Sequence, residues 1–309
     1  MNKPLISILI STYNWSCFKL AGQLEELVTN ETEDIEIIVG EDASTDPNFL
    51  YENQKIKTLP HCKYVYFTEN NGRAKIRTKL SDIAQGKYLL FIDSDALVMS
   101  TNFLSEYIKY VPYHDVIYGG ISTPVRMPDK RNRTLRLAYE KAAENIRSLS
   151  FRKKNPYKYI SAFNILIKHE LFDQIKFNEN CTLYGYEDAL LGIELKIRKK
   201  EIYHIDNPLL HTGIDTNEEY LEKIKDSLTT LYTIGNTMQN ESSICKIQKL
   251  ITKVKLNTPI DILFTHIFKK RFEKNLLSTS PSLSILQLYK IGYYCHICQT
   301  NEKKRKNIR

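Results

Sequence analysis

The sequence predicts an α/β protein built on a mostly parallel central sheet, followed by a helical C-terminal extension. Three observations predict it. Apolar runs of strand length alternate with helical spacings over roughly the first hundred residues, and polar residues crowd the end of each run. Beyond Glu218 the strand signals fade while amphipathic helical patterns continue.

Residues 5–10 form a near-continuous apolar, β-branched run, as expected of a strand buried on both faces of a parallel sheet. Leu20, Leu24, Leu27 and Val28 then recur at helical spacing, and residues 35–39 form a second apolar run, which completes a βαβ unit. The pattern repeats with a strand at 64–67, a helix face of Ile76, Leu80 and Ile83, and a buried strand at 88–92. Right-handed crossovers between parallel strands place ligands at the carboxyl ends of those strands. Ser11-Thr12-Tyr13-Asn14, Glu41-Asp42-Ala43-Ser44-Thr45-Asp46 and Asp93-Ser94-Asp95 all fall there. Mixed α/β patterning continues to about Gly213, with strands near 162–167 and 202–205 and a basic stretch, 126–136, that reads as a lid, an acceptor loop or a solvated loop. The expected division is 1–215, with a nucleotide-binding half (1–100) and an acceptor half (101–215), and a helical extension over 216–309.

The 309 residues are 42% apolar and 26% charged, which fits a compact globular protein, and the net charge of +8 favours an anionic partner. No run approaches the roughly 20 apolar residues of a membrane span, and residues 1–4 lead into the first strand without the regions of a secretory signal. Six scattered cysteines fit reduced thiols, so a cytoplasmic protein is expected. Cys295-His296-Ile297-Cys298 lacks the second ligand pair of a zinc site.

Asp93-Ser94-Asp95 directly after the strand at 88–92 is the sharpest chemical feature. Paired carboxylates at a strand end suit Mg²⁺ or Mn²⁺ completed by diphosphate oxygens, although short Asp-x-Asp strings also cap helices and solvate turns. The first two strand-and-loop segments, Glu69-Asn70-Asn71-Gly72 with Arg77, and Gly86 through Asp95 together resemble glycosyltransferase family 2 in order and spacing. The resemblance implies a GT-A fold, a nucleotide-diphospho-sugar donor, in most members a uridine one, and a divalent metal. It places Ser11 and Tyr13 along the nucleoside, Asp42 on the base, Arg77 near the base or phosphates, Asp93 facing the ribose and Asp95 on the metal. Glu41-Asp42-Ala43 departs from two aspartates and a glycine, Ser11 from a proline, and Thr78 from an asparagine.

Glu187 and Asp188 open a segment in which Leu190, Ile193 and Ile197 share a helix face. The resemblance assigns Glu187 to the acceptor site and makes Asp188 the base of an inverting transfer; helix N-terminal amides stabilise an ionised carboxylate there, as they also do for a simple capping acid. His211, in Pro208-Leu209-Leu210-His211-Thr212-Gly213, stands where relatives carry a metal-reaching histidine, with a packed histidine as the alternative. The expected function is transfer of a sugar from a nucleotide-sugar donor to a hydroxyl of a saccharide or lipid-linked saccharide, in cell-surface polysaccharide assembly. A catalytically silent sugar-nucleotide binder is the rival reading. A nucleotidyltransferase is disfavoured because the first strand lacks a glycine-rich phosphate loop, and no recognition motif supports nucleic-acid binding. Lys269-Lys270-Arg271 and the basic residues 303–306, interspersed with apolar ones, suggest peripheral contact of the C-terminal helices with the inner face of the cell membrane, with a solvated helical cap as the alternative.

Overall fold

The structure, a computed structural model, describes residues 3–124 and 131–307. In chain order, β1 (Ile6–Thr12), α1 (Phe18–Thr29), β2 (Ile35–Asp42), α2 (Pro47–Gln54), β3 (Cys62–Phe67), α3 (Gly72–Ile83) and β4 (Tyr88–Asp93) form the expected alternation. They are followed by β5 (Ala96–Leu97), α4 (Phe103–Tyr110), β6 (Val116–Tyr118), β7 (Ile121–Ser122), α5 (Thr134–Arg147), α6 (Leu149–Lys154), β8 (Asn164–Lys168), α7 (His169–Ile175), α8 (Glu187–Ile197), β9 (Tyr203–His204) and β10 (Leu209–His211). Helices α9 (Asn217–Thr233), α10 (Gly235–Met238), α11 (Ser243–Lys253), α12 (Asn257–Leu263), α13 (Lys269–Leu276) and α14 (Leu283–Asn307) complete the chain, with a π-helical turn at Phe264–Phe268. Among the described residues no strand follows His211, and no helix is long and apolar enough to cross a membrane.

Two compact units result, the first from 1–125, 143–179 and 187–213, the second from 126–142, 180–186 and 214–309. The first unit is organised by a seven-stranded sheet of order β3-β2-β1-β4-β8-β6-β9. Strands β3, β2, β1 and β4 are parallel, while β8 runs antiparallel to both β4 and β6. Alternate residues of the central strands feed two cores. Ile8, Ile10, Ile37, Val39 and Leu90 pack with Leu20 and Leu24 of α1 and Phe103 and Tyr107 of α4. Leu9, Ile38, Leu89 and Phe91 pack with Ile76 and Leu80 of α3, Phe172 of α7 and Leu191 of α8. Both faces of β1 are therefore buried, which is why its sequence is apolar without alternation.

Pairing carries β1 and β2 past their apolar runs, with Ser11 opposite Gly40 on one side and Asp93 on the other. The polar ends of three strands are thus held in register. A separate sheet of order β5-β10-β7 sets His211 opposite Ala96, one residue from Asp95.

In the second unit α9 opens with a capping box between Thr216 and Glu219, and the Asn217 side chain accepts from the Leu135 amide at 2.8 Å and donates to Ser278 O at 3.1 Å. Leu135 is fully buried and α5 has begun by Thr134, so the end of the basic stretch is helical; residues 125–130 lie outside the described residues. Phe264 packs against Tyr289 and Tyr293 of α14, and a Cβ on Gly292 would lie 2.3 Å from its ring, so this contact requires glycine. His296 pairs with buried Asp261 at 2.7 Å, and among the described residues the six cysteines form no disulfide and no group of three metal-ligating side chains occurs.

Candidate active site

The loops after β1 and β2 are tied together by Asn14, which adopts φ 48°. Its amide donates to Ser44 Oγ at 2.7 Å, and its Oδ1 accepts from the amides of Thr45 and Asp46 at 2.8 and 3.1 Å. Beneath them Glu41 is fully buried and accepts from Ser44 Oγ, from Asn53 Nδ2 at 2.9 Å and from Tyr64 OH at 3.1 Å. The glutamate that departs from the family pattern therefore anchors the loop. Ser11 is half-buried, and Tyr13 is 48% exposed.

Asp42 sits at the start of α3, where its carboxylate accepts from the amides of Asn71 and Gly72 and from Asn71 Nδ2, at 2.8–3.0 Å. The orphan amides of the helix N-terminus are satisfied in this way, and the dipole favours the negative charge. One turn on, Arg77 is 3% exposed, donates to Asp93 Oδ1 at 2.5 Å, places Nη1 3.7 Å from Glu187 Oε1 and covers the Phe177 ring at 5.3 Å. Burial opposes its charge, but Asp93, Asp188 and Glu187 outweigh that and raise its pKa. Burial likewise pushes the Asp93 carboxyl up, yet Arg77, then Arg73, 3.7 Å away, hold it below the usual carboxylate range. Arg77 Nη1 and Glu187 Oε2 are buried without a hydrogen-bond partner among the described residues.

The β5–β10 pairing brings Asp95 Oδ2 within 3.2 Å of His211 Nε2. Thr212 clasps the Asp95 carbonyl through its amide at 2.9 Å and its hydroxyl at 2.7 Å. A Cβ on Gly213 would lie 2.0 Å from Asp95 Oδ2, so glycine is needed for the carboxylate to reach this place. Asp95 Oδ1 is buried with no hydrogen-bond partner among the described residues. An unsatisfied carboxylate oxygen beside an imidazole nitrogen suits a divalent cation such as Mn²⁺, for which a bound diphosphate would supply the remaining oxygens.

Asp188 lies in the first turn of α8, half-buried. Ser161 Oγ donates to its Oδ2 at 2.6 Å and the Ala162 amide to its Oδ1 at 3.0 Å. Burial, then the neighbouring charge of Glu187, push its pKa up to about 6 against the opposing pull of Arg77 and these two hydrogen bonds. The result is an oriented carboxylate, ionised at neutral pH yet basic enough to take a proton. Ser11, Tyr13, Asp42, Arg77, Asp93, Asp95, Glu187, Asp188 and His211 thus all belong to the first unit. Sequence reasoning missed Arg73 and Ser161 altogether, and it quoted Asn14, Glu41, Thr212 and Gly213 within their segments without giving them a role, because their partners are brought to them only by folding.

Residues 7–176, more than half of the chain, match the profile of Glycosyl transferase family 2. The chain belongs to that family. An uncharacterized glycosyltransferase of Methanocaldococcus jannaschii is 24% identical to this family member over 254 residues, 79% of this chain and 83% of the relative. An uncharacterized glycosyltransferase of Haemophilus influenzae is 36% identical over 98 residues, 32% of this chain and only 39% of the relative. The teichoic acid poly(glycerol phosphate) polymerase of Staphylococcus epidermidis is 27% identical over 187 residues, 60% of this chain and 25% of that protein. Among solved structures, the mannosyltransferase PcManGT of Pyrobaculum calidifontis with GDP-Man and Mn²⁺ superposes with a TM-score of 0.54 at 12% identity, covering 94% of this chain and 86% of that one. S. aureus TarS 1–349 in complex with UDP gives a TM-score of 0.52 at 16% identity, covering 96% and 91%. The fold of this family 2 member is accordingly GT-A.

Proposed function

We propose that the protein transfers a sugar from a nucleotide-diphospho-sugar, a UDP-sugar by preference, to a hydroxyl of a saccharide or lipid-linked saccharide, with inversion at the anomeric carbon. The observation that carries this reading is the convergence, in one unit, of the Asp95–His211 pair with an oriented, proton-accepting Asp188. The mannosyltransferase with GDP-Man and Mn²⁺ and TarS with UDP support it by fold, and the teichoic acid polymerase supports a setting in cell-surface polymer assembly.

In this reading residues 1–100 hold the nucleotide and residues 101–215 the acceptor. Ser11, Tyr13 and Asp42 line the nucleoside, Arg77 holds Asp93 for the ribose, and Glu187 orients the acceptor. A divalent cation on Asp95 and His211 would offset the charge of the departing diphosphate. Asp188 takes the proton of the acceptor hydroxyl as that oxygen bonds to the anomeric carbon and the bond to the diphosphate breaks, on the opposite face. The work is done on the cytoplasmic side of the membrane, with peripheral contact through the C-terminal helices. Incubation with a panel of UDP-, GDP- and dTDP-sugars, with and without Mn²⁺, tests this: metal-dependent nucleotide release from one of them is expected, and the absence of release or binding for all of them would remove the proposal.

A further inference from the structure

The second unit carries an apolar surface that the transfer reaction does not use. Along α11, Ile247, Leu250 and Val254 recur at helical spacing and are exposed, Leu250 to 64% and Val254 to 60%. Leu256 follows in the connection to α12, and Ile262, Leu263 and Ile267 continue the exposure through α12 and the π-helical turn. Both helices are fastened to α14 by their other sides. Buried Cys245 meets Tyr294 OH at 3.5 Å, Asp261 pairs with His296 at 2.7 Å, and Gln299 donates to Thr258 Oγ1 at 3.2 Å. The outward sides are therefore apolar by sequence, and they are held in place by a packed scaffold. Surfaces expose large apolar side chains singly as a rule, and a run of them marks an interaction site.

Charge selects the partner. Lys246, Lys249 and Lys253 form a stripe beside the apolar one on α11, Lys255 follows, and Lys270 and Arg271 close the segment. Between residues 243 and 271 the sole acid is Asp261, which is buried against His296. A second copy presenting the same face would set these cations against one another, whereas anionic headgroups complement them while the apolar stripe enters the acyl boundary. Lysine stems additionally reach outward along an apolar surface to keep their ammonium groups at headgroup level.

We infer that the outward face of α11, α12 and the π-helical turn docks on an anionic lipid bilayer. The inference deepens the peripheral contact proposed above by assigning it to this face rather than to the basic residues at 303–306, and it does not depend on the chemistry assigned to the first unit. Each lysine facing an anionic leaflet strengthens association about five-fold, and the buried apolar side chains add to this.

The test is co-sedimentation of the full chain with vesicles of phosphatidylcholine alone or mixed equally with phosphatidylglycerol. Binding to the mixed vesicles only is expected. The exposed triple variant Leu250→Ser/Val254→Ser/Ile262→Ser, and separately Lys246→Glu/Lys249→Glu/Lys253→Glu, should lose at least about ten-fold in affinity with unchanged melting temperature, and a chain ending at residue 302 should retain most of its binding. Equal binding by wild type and both triple variants would overturn the inference. Loss on truncation at 302 alone would overturn it too, while leaving peripheral contact through the C-terminal region intact. Absence of binding by the wild type would remove both. A dimer in solution that Leu250→Ser dissociates would assign the face to a second copy instead.

Discussion

Replacing Arg77 with methionine keeps the length of the side chain and removes the charge that the buried carboxylates share. Arg77 donates to Asp93 at 2.5 Å and lies 3.7 Å from Glu187, with both side chains largely out of solvent. Removing one partner of a buried ion pair costs about 3–5 kcal/mol, because the remaining charge is left uncompensated. In a unit of this size that lowers the melting temperature by about 6 °C or more. The loss depends on pH in a set direction. Arg77 holds Asp93 below its ordinary pKa, so in the wild type the pair's stabilisation is fully present above that ordinary value and fades only as pH falls through the depressed one. Without Arg77, burial raises the Asp93 pKa, and protonation relieves the strain as the solution is acidified. The difference between wild type and variant should therefore be larger at pH 8 than at pH 5, by scanning calorimetry at both. A drop below about 2 °C, or an equal drop at both pH values, would refute the electrostatic role given to Arg77.

Gly213→Ala should displace the Asp95 carboxylate, since the added Cβ would lie 2.0 Å from its Oδ2, and should weaken Mn²⁺-dependent nucleotide binding about as much as Asp95→Ala does, as read by calorimetry. Asp42→Ala removes the acceptor of two α3 amides, so a lower melting temperature is expected even without ligand, together with a loss of about 1–3 kcal/mol in uridine nucleotide affinity. Asp188 carries a raised pKa of about 6, so its ionised form costs stability, increasingly as pH rises toward 6 and fully above it. Asp188→Asn should accordingly melt higher than the wild type at pH 8 and no higher near pH 4, and wild-type turnover should fall as pH drops through about 6.

The parallel strands β1, β2 and β4 were legible because burial on both faces leaves an unbroken apolar run. The two- and three-residue strands β5, β7 and β10 carry no such pattern, and their pairing is decided by partners 88 to 115 residues away. That pairing creates the Asp95–His211 contact, which only the resemblance could suggest in advance. The partner of Arg77 was not legible either: its guanidinium meets Asp93 because a half-buried carboxylate at the end of β4 needs a countercharge. Glu41 read as a departure from the family pattern; its service to Ser44, Asn53 and Tyr64 depends on three side chains brought together by folding. Likewise, the gathering of 131–142 and 180–186 with the C-terminal helices follows from long-range packing that no local spacing encodes.

The central claim, inverting transfer from a sugar nucleotide with Asp188 as base, is tested most directly by following sugar-nucleotide hydrolysis by NMR, with water in place of the acceptor. From an α-linked UDP-sugar with Mn²⁺ the β-anomer should form first, at a rate that Asp188→Asn lowers by about 10² to 10⁴ without loss of donor affinity. First appearance of the α-anomer, or an undiminished rate in Asp188→Asn, would contradict the account.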